Sequence, residues 1–126
     1  MKNIINVAVV GLGQVGIYLL KELYAKKKDI EIKTGKKINV VAISAKNINK
    51  KRLIKVNKKI FFKNPLEIFK KTKIDVLFEA IGQSDGISKK VIETALKKKI
   101  HVITPNKALI SKHGNQLAKI AENNNV

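Results

Sequence analysis

The chain has 126 residues, enough for one domain with its own core, and contains no cysteine and only two histidines, so disulfides and thiolate or His-rich metal clusters are excluded. Its 27 Lys and Arg residues against 9 Asp and Glu give a formal net charge of +18. All of these cations except Arg52 are lysine and only 5% of residues are aromatic, whereas nucleic-acid interfaces combine arginine forks with stacking aromatics, so solvated lysine is the favoured interpretation.

The apolar pattern alternates between strand and helix from one end of the chain to the other. The pattern predicts strands over 4–10, 38–44, 74–80 and 100–103, and helices over 14–28, 64–71, 87–99 and from 107 to about 123. The segment 29–37 is expected to be a loop, 45–59 is expected to be a loop with room for one helical turn, and His113-Gly114 is expected to interrupt the last helix. Alternating βαβ units with right-handed crossovers predict an α/β fold, a Rossmann-type doubly wound parallel sheet with helices on both faces, in a single domain.

The segment 11–16 joins the first strand to the first helix with the spacing G-x-G-x-x-G. In this spacing the first glycine allows a tight turn, the second lets the backbone approach a pyrophosphate, and the third lets helix and strand pack closely. The phosphates would lie on free N–H groups at the helix N-terminus, where the helix dipole also favours them. The residues expected at this dinucleotide site are Gly11, Leu12, Gly13, Gln14, Val15 (with packing as the expected role of its side chain) and Gly16.

Ligands of such sheets bind beyond the carboxyl ends of the strands, where three further loops lie, 44–52, 81–86 and 104–107. Ile81 and Gly82 would let the ribose and nicotinamide approach the main chain, and Ser84 is a further candidate contact, with a plain turn as the alternative. Glu79, late in a buried strand, is expected to be hydrogen-bonded, with capping of neighbouring backbone groups as its simplest role.

The loop after the second strand bears on the choice between NADP and NAD. NAD-binding domains usually place a carboxylate here for the adenosine ribose, but 44–52 contains none and carries Lys46, Lys50, Lys51 and Arg52 instead. Lysine is abundant throughout this chain, so the missing carboxylate is the stronger half of the argument. Because a cationic cluster suits a 2′-phosphate, we predict NADP as the preferred cofactor, NAD as the alternative, and Lys46 and Arg52 as contacts.

Lys107 is the candidate catalytic residue. It follows the fifth strand at a helix start that faces the predicted cofactor site, where an ammonium group would orient or polarise a carbonyl next to the nicotinamide. Its position rather than its type distinguishes it from the other lysines. Both histidines are expected to be structural, with His113 at a helix end, and no metal site is predicted.

The sequence also bears on location. It has no run of about 20 apolar residues, and its apolar N-terminal run is broken by glycines and lacks a small-residue cleavage site. A cytoplasmic protein without a signal peptide, a membrane partner or a nucleic-acid partner is therefore expected.

The chain resembles the nucleotide-binding domain of homoserine dehydrogenase over essentially its whole length. The segments that carry the resemblance are 9–16 (VVGLGQVG), 41–47 (VAISAKN), 75–82 (DVLFEAIG) and 101–109 (HVITPNKAL). The last segment is the most specific, because an N-K-A-L motif after the fifth strand is typical of this family. The resemblance implies NAD(P)-dependent interconversion of aspartate 4-semialdehyde and homoserine, in the biosynthesis of threonine, methionine and isoleucine.

The same resemblance suggests roles for individual residues. It implies that Lys107 assists at the substrate carbonyl and that Thr104 and Asn106 line the nicotinamide side. The family often has arginine where this chain has Lys46, and lysine lacks the planar fork of arginine, so 2′-phosphate recognition is expected to be less rigid.

Members of the family continue into a dimerising and substrate-binding domain. The chain 1–126 is therefore expected to be the dinucleotide-binding domain alone, without that C-terminal domain, and to bind cofactor without turnover, while the full-length protein is expected to be a homo-oligomer. The alternatives are a dehydrogenase for a different semialdehyde, a non-catalytic nucleotide-binding Rossmann module, or a basic nucleic-acid-binding domain, whose DNA affinity would fall steeply with salt.

Overall fold

The computed structural model describes residues 3–126. Its strands are β1 (Ile4–Val10), β2 (Lys37–Ser44), β3 (Phe61–Phe62), β4 (Val76–Glu79) and β5 (His101–Ile103), and its α-helices are α1 (Gln14–Ala25), α2 (Lys27–Thr34), α3 (Ile68–Lys71), α4 (Ile87–Lys97) and α5 (Lys107–Asn123). Short 3₁₀ turns cover Lys58–Ile60 and Pro65–Glu67. Over these residues the strands form one parallel sheet in the order β3-β2-β1-β4-β5. The predicted Rossmann-type fold is thereby confirmed.

The two faces of the sheet are covered by different helices, and β1 shows why. Val7 and Val9 pack in a cluster with Leu20 of α1, whereas Ala8 and Val10 pack on the other face with Val91 of α4. Successive strand residues point to opposite faces, so a central parallel strand covered on both sides reads as a continuous apolar run. The apolar run of β1 therefore follows from its position at the centre of the sheet.

Two expectations about secondary structure were wrong, and one short strand was not predicted. Most of the predicted loop 29–37 is helix α2, which follows α1 after Lys26 and ends at Gly35 in the left-handed conformation (φ 72°). All residues of α2 are at least partly exposed, so the helix lacks the apolar stripe by which the pattern would have revealed it. The first 3₁₀ turn, Lys58–Ile60, begins at the end of the segment 45–59, in agreement with the helical turn allowed there. The two-residue β3 that follows was not predicted.

The second wrong expectation concerns the last helix. Helix α5 continues through His113-Gly114 instead of being interrupted there. A Cβ at Gly114 would lie 3.3 Å from Ile110 Cγ2, so a small residue suits this turn of the helix. His113 is accordingly in mid-helix and not at a helix end.

Candidate functional site

The glycine turn between β1 and α1 is held by contacts between backbone atoms. Gly11 has φ +92°, and a Cβ on it would lie 2.6 Å from the carbonyl carbon of Ala80 and the nitrogen of Ile81. A Cβ on Gly16 would lie 1.7 Å from the carbonyl oxygen of Gly11. Glycine is therefore required at both positions, because any side chain would force the turn, β4 and α1 apart.

Gly13 differs from its two neighbours in the motif. A Cβ there would meet nothing within 4 Å in the described structure, and its φ of −72° is open to any residue. Gly13 is the N-cap of α1 and provides no side-chain cap, so the first N–H groups of the helix remain available to a ligand. This open face fits the close approach of a pyrophosphate, as the motif predicts.

A cleft of about 650 Å³ opens at the carboxyl edge of the sheet, beside the glycine turn. Its lining is formed by Gly11, Leu12, Gly13, Ser44, Ala45, Lys46, Asn47, Lys50, Arg52, Lys63, Pro65, Ala80, Ile81 and Ile87. The structure thus brings together the glycine turn, the loop after β2 and the start of the loop after β4. Among the described residues that line it are four cations and no carboxylate, which fits a ligand with several phosphates.

Lys63 is a cleft residue that the sequence analysis missed. The pairing of β3 with β2 aligns Phe62 with Ser44, so the residue after β3 reaches the same edge as the loop after β2. The apolar pair Phe61-Phe62, which is the whole of strand β3, stands out in an otherwise basic stretch. Interpreting this pair as a strand would have placed Lys63 at a strand end.

Arg52 lines the cleft and also organises the loop that contains it. Its Nη2 atom donates to the carbonyl of Asn47 at 2.6 Å, and its Nη1 atom donates to the carbonyls of Lys50 at 3.2 Å and Ile48 at 3.4 Å. These bonds fold the backbone of 47–52 around the guanidinium. Lys46, by contrast, is an exposed residue of the lining.

The loops after β4 and β5 form the other half of the carboxyl edge of the sheet. They are joined through Glu79, which is fully buried at the end of β4. One carboxylate oxygen accepts from the N–H groups of Ile81 (2.9 Å) and Gly82 (3.0 Å). The other accepts from the hydroxyl of Thr104 at 2.7 Å and, over a longer 3.5 Å, from the amide of Asn106. Glu79 therefore caps backbone groups as expected, and it also bonds two side chains of the loop after β5, which the sequence analysis did not foresee.

Asn106 continues this network into helix α5. Its Nδ2 atom donates to the carbonyl of Gln83 at 2.6 Å, and its Oδ1 atom accepts from the N–H of Leu109 at 3.1 Å, which makes it the N-cap of the helix. Lys107, the next residue, is exposed in the first turn of α5. Lys107 thus lies at the carboxyl edge where the topology predicted it, although outside the lining of the cleft.

A cluster of charged side chains ties the loop after β4 to α5. The carboxylate of Asp85 pairs with the ammonium of Lys112, and its Oδ1 atom lies 2.7 Å from Nε2 of His113. The hydrogen bonds that the Asp85 carboxylate accepts from Lys112, which has the larger effect, and from His113 lower the pKa of Asp85 to about 2. Ser84 is next to this cluster and donates a long hydrogen bond of 3.4 Å to Asp85.

The predicted site residues therefore fall into separate groups. Gly11, Leu12, Gly13, Lys46, Arg52 and Ile81 line the cleft; Gly82, Thr104 and Asn106 belong with Ile81 to the Glu79 network; and Gln14, Val15 and Gly16 form the first turn of α1. The side chain of Val15 is 58% exposed, so the packing expected for it is absent. Within residues 3–126, no group of three or more His, Cys, Asp or Glu side chains is arranged to hold a metal ion. Among the same residues, no helix has both the length and the apolar character that crossing a membrane would require.

Comparison with known proteins gives a consistent result. The family described as "Homoserine dehydrogenase, NAD binding domain" matches residues 11–126. The homoserine dehydrogenase of Neisseria gonorrhoeae is 30% identical over 122 residues, which are 97% of this chain and 28% of that protein. The chain therefore spans less than a third of the length of this curated relative.

Solved structures of homoserine dehydrogenases also match this chain over part of their length. The crystal structure of Staphylococcus aureus homoserine dehydrogenase at pH 6.0 superposes with a TM-score of 0.88 at 32% identity, covering 100% of this chain and 32% of that one. A hyperthermophilic archaeal homoserine dehydrogenase in complex with NADPH has a TM-score of 0.73 at 20% identity, over 98% of this chain and 42% of that one. The archaeal enzyme shares the fold.

Proposed function

The chain belongs to the homoserine dehydrogenase NAD-binding-domain family, and on that premise we propose that it is the NADP-binding part of an enzyme that interconverts aspartate 4-semialdehyde and homoserine. The observation that carries the proposal is the glycine turn, whose open Gly13 face borders a cleft with Lys46, Lys50, Arg52 and Lys63 in its lining. This arrangement supplies N–H donors for a pyrophosphate and cations for a 2′-phosphate.

Each half of the edge receives part of the dinucleotide in this proposal. The backbone of 11–16 binds the pyrophosphate, and Lys46, on the loop folded by Arg52, binds the 2′-phosphate. On the other half, the loops that carry Ile81, Gly82, Ser84, Thr104 and Asn106 receive the nicotinamide riboside. NADPH, when bound, supplies the hydride for reduction of the aldehyde.

Lys107 is the proposed catalytic residue of this chain. Its ammonium group, held at the first turn of α5 by the Asn106 cap, orients the substrate carbonyl and stabilises negative charge that develops on its oxygen. Residues 1–126 form the dinucleotide-binding domain in this proposal. Because the chain covers only 28% of its relative from Neisseria gonorrhoeae, substrate ligands and subunit contacts are assigned to the remainder of such an enzyme, which assembles as a homo-oligomer. The chain alone is expected to bind cofactor without turnover.

The test is a calorimetric titration of the chain with NADPH and, in parallel, NADH at moderate salt. We expect saturable binding of NADPH that is about tenfold tighter than that of NADH, a difference of about 1.4 kcal/mol. Equal affinities would retain the dinucleotide site and contradict the NADP preference. Binding of neither would overturn the proposed function.

Nonspecific attraction of anions to a chain of net charge +18 needs its own control. Titration with inorganic pyrophosphate over the same salt series measures that attraction, which screening weakens. A duplex DNA titration tests the basic-domain alternative, for which log affinity would fall linearly and steeply with log salt concentration. The proposal requires that NADPH binds more tightly than either probe.

A further inference from the structure

The roles proposed above leave the buried carboxylate of Glu79 without a function. Resting on the proposed function, we propose that Glu79 is a positioning residue that holds the loops after β4 and β5 as the binding surface for the nicotinamide half of the dinucleotide. It contacts neither half itself, because it is fully buried. It acts through the groups that donate hydrogen bonds to it.

The hydrogen-bond partners of Glu79 in the described structure are all donors. The N–H groups of Ile81 and Gly82 bind one oxygen, and the hydroxyl of Thr104 and the amide of Asn106 bind the other. Among side chains of this size, only an ionised carboxylate accepts at both ends. A glutamine that accepts from Ile81 and Gly82 would turn its NH₂ group toward the loop after β5. There it would reverse the hydrogen bond with the Thr104 hydroxyl and face the amide NH₂ of Asn106, so the arrangement favours a carboxylate.

The network reaches Lys107 by a short route. The hydroxyl of Thr104 donates to Glu79 and at the same time accepts from the N–H of Asn106 at 3.0 Å. Asn106 in turn caps α5 through the N–H of Leu109. Buried networks in which every member is satisfied fix a single arrangement, so the charge of Glu79 defines where the first turn of α5 begins.

The network also touches the glycine turn. The Ile81 nitrogen that donates to Glu79 is an atom against which Gly11 packs, at 2.6 Å from the position of an added Cβ. Ile81 is moreover part of the cleft lining. A purely structural link between two loops needs no buried charge, since well-packed apolar residues of similar volume often do as well or better. The cost of burying this carboxylate therefore points to a requirement for precise backbone placement at the ligand edge.

The test compares two ligands that share one half. NADPH and 2′-phospho-ADP-ribose, which is the same molecule without nicotinamide, are titrated into the wild-type chain and into Glu79→Gln. We expect Glu79→Gln to lower the affinity for NADPH by about tenfold, because a charge-assisted hydrogen-bonded arrangement is lost. The affinity for 2′-phospho-ADP-ribose is expected to change by less than about twofold. Ile92→Val, which shortens a buried side chain of α4 outside the network, serves as the control for general destabilisation and is expected to leave both affinities unchanged.

The outcomes separate this inference from the function on which it rests. If the wild-type chain binds neither ligand, the proposed function is overturned, and this inference with it. If the wild type binds both and Glu79→Gln weakens both to the same degree, or neither, the positioning role is wrong while the NADP site stands. Should Glu79→Gln fail to fold, Glu79→Asp keeps the charge but shortens the side chain and withdraws the carboxylate from its donors, and the same selective loss of NADPH affinity is required of it.

The amide resonances of Ile81 and Gly82 give a second readout that general destabilisation would not move. Both N–H groups bond to a carboxylate in the wild type, and we expect their proton shifts to change in Glu79→Gln and to stay constant in Ile92→Val. Unchanged shifts in the folded Glu79→Gln variant would contradict the hydrogen-bond arrangement from which the inference starts.

Discussion

The two halves of the ligand edge are built on different principles. In the half formed by β1 and β2, the turn 11–16 is held by backbone packed directly on backbone, with no room for a Cβ at Gly11 or Gly16. In the half formed by β4 and β5, the loops are held by side-chain hydrogen bonds that converge on the buried carboxylate of Glu79. The first half requires that Gly11 and Gly16 have no side chain, and the second half requires hydrogen bonds to the carboxylate of Glu79.

This difference determines which substitutions each half tolerates. Close packing fails when an atom is added, because the backbone on both sides must move. A satisfied polar network fails when a charge is removed, because the donors left behind lose their partner and remain buried. The same edge of one sheet therefore has one half sensitive to volume and one half sensitive to charge.

The largest effect is expected from adding a methyl group to the first half. Gly16→Ala should lower the free energy of unfolding by about 4 kcal/mol or more, since its Cβ would lie 1.7 Å from the carbonyl oxygen of Gly11. The matched control is Gly13→Ala in the same turn, where an added Cβ meets nothing within 4 Å of the described structure. For this variant we expect a change of less than about 0.5 kcal/mol.

Urea denaturation of the two variants measures both values. Gly13→Ala should still reduce NADPH affinity, because the added methyl group occupies the face that the pyrophosphate approaches. Equal stability losses in the two variants would show that the turn is not held by backbone packing, and the contrast between the two halves would disappear.

The same contrast explains what could be predicted from the sequence. The glycine turn lies in one short segment, 11–16, where the spacing of the glycines is visible, although the partners of Gly11, Ala80 and Ile81, are distant in the sequence. The continuous apolar run of β1 and the helical spacing of the apolar residues in α4 are likewise visible in the sequence. Helix α2 was missed because its residues form no apolar stripe. The continuity of α5 was missed because a glycine often ends a helix, and the sequence does not show that Gly114 lies against the side chain of Ile110 within the helix.

The Glu79 network cannot be recognised in any one short segment of the sequence. It joins Glu79 to Thr104 and Asn106, which are 25 and 27 residues away in the chain. A single carboxylate in an apolar strand signals that partners exist, but only the pairing of β4 with β5 determines which ones. Lys63 was missed for a similar reason, since the two-residue strand β3 brings it to the cleft.

An intermediate effect is expected from reversing a charge beside the cleft. Lys46→Glu should reduce the preference for NADPH over NADH by about tenfold or more, because the carboxylate repels a 2′-phosphate and offers an acceptor to a ribose hydroxyl. Lys51→Glu makes the same charge change in the same loop, but Lys51 lines the neighbouring groove over 48–58 and not the cleft. For this control we expect a change in the NADPH-to-NADH ratio of less than about twofold, since solvent and salt screen the more distant charge.

Parallel calorimetric titrations with NADPH and NADH measure both ratios. Equal effects of the two variants would mean that net charge and not the position of Lys46 sets the cofactor preference. In that case the first half of the edge would recognise phosphate only through its backbone.

The smallest effect is expected at the exposed end of the second half, where Asp85 pairs with Lys112 and His113. Because the hydrogen bonds from Lys112 and from His113 lower the pKa of Asp85 to about 2, its ionised form is favoured more in the folded than in the unfolded chain. This contribution to stability is therefore fully present above the ordinary aspartate pKa of about 3.9 and is lost as the pH falls from there toward 2. Since the Asp85 side chain is half-exposed, solvent screens the pair and the effect on stability is modest.

Asp85→Asn should accordingly flatten the dependence of the urea midpoint on pH between about 4 and 2. Lys112→Gln removes the first cause of the lowered pKa while leaving the carboxylate in place, so we expect it to narrow that pH window without abolishing it. If Asp85→Asn kept the full wild-type slope, the acid sensitivity would have to come from another carboxylate. The loop after β4 would then depend on its buried hydrogen bonds with Glu79, Asn106 and Ser88, among which Glu79 supplies the single charge.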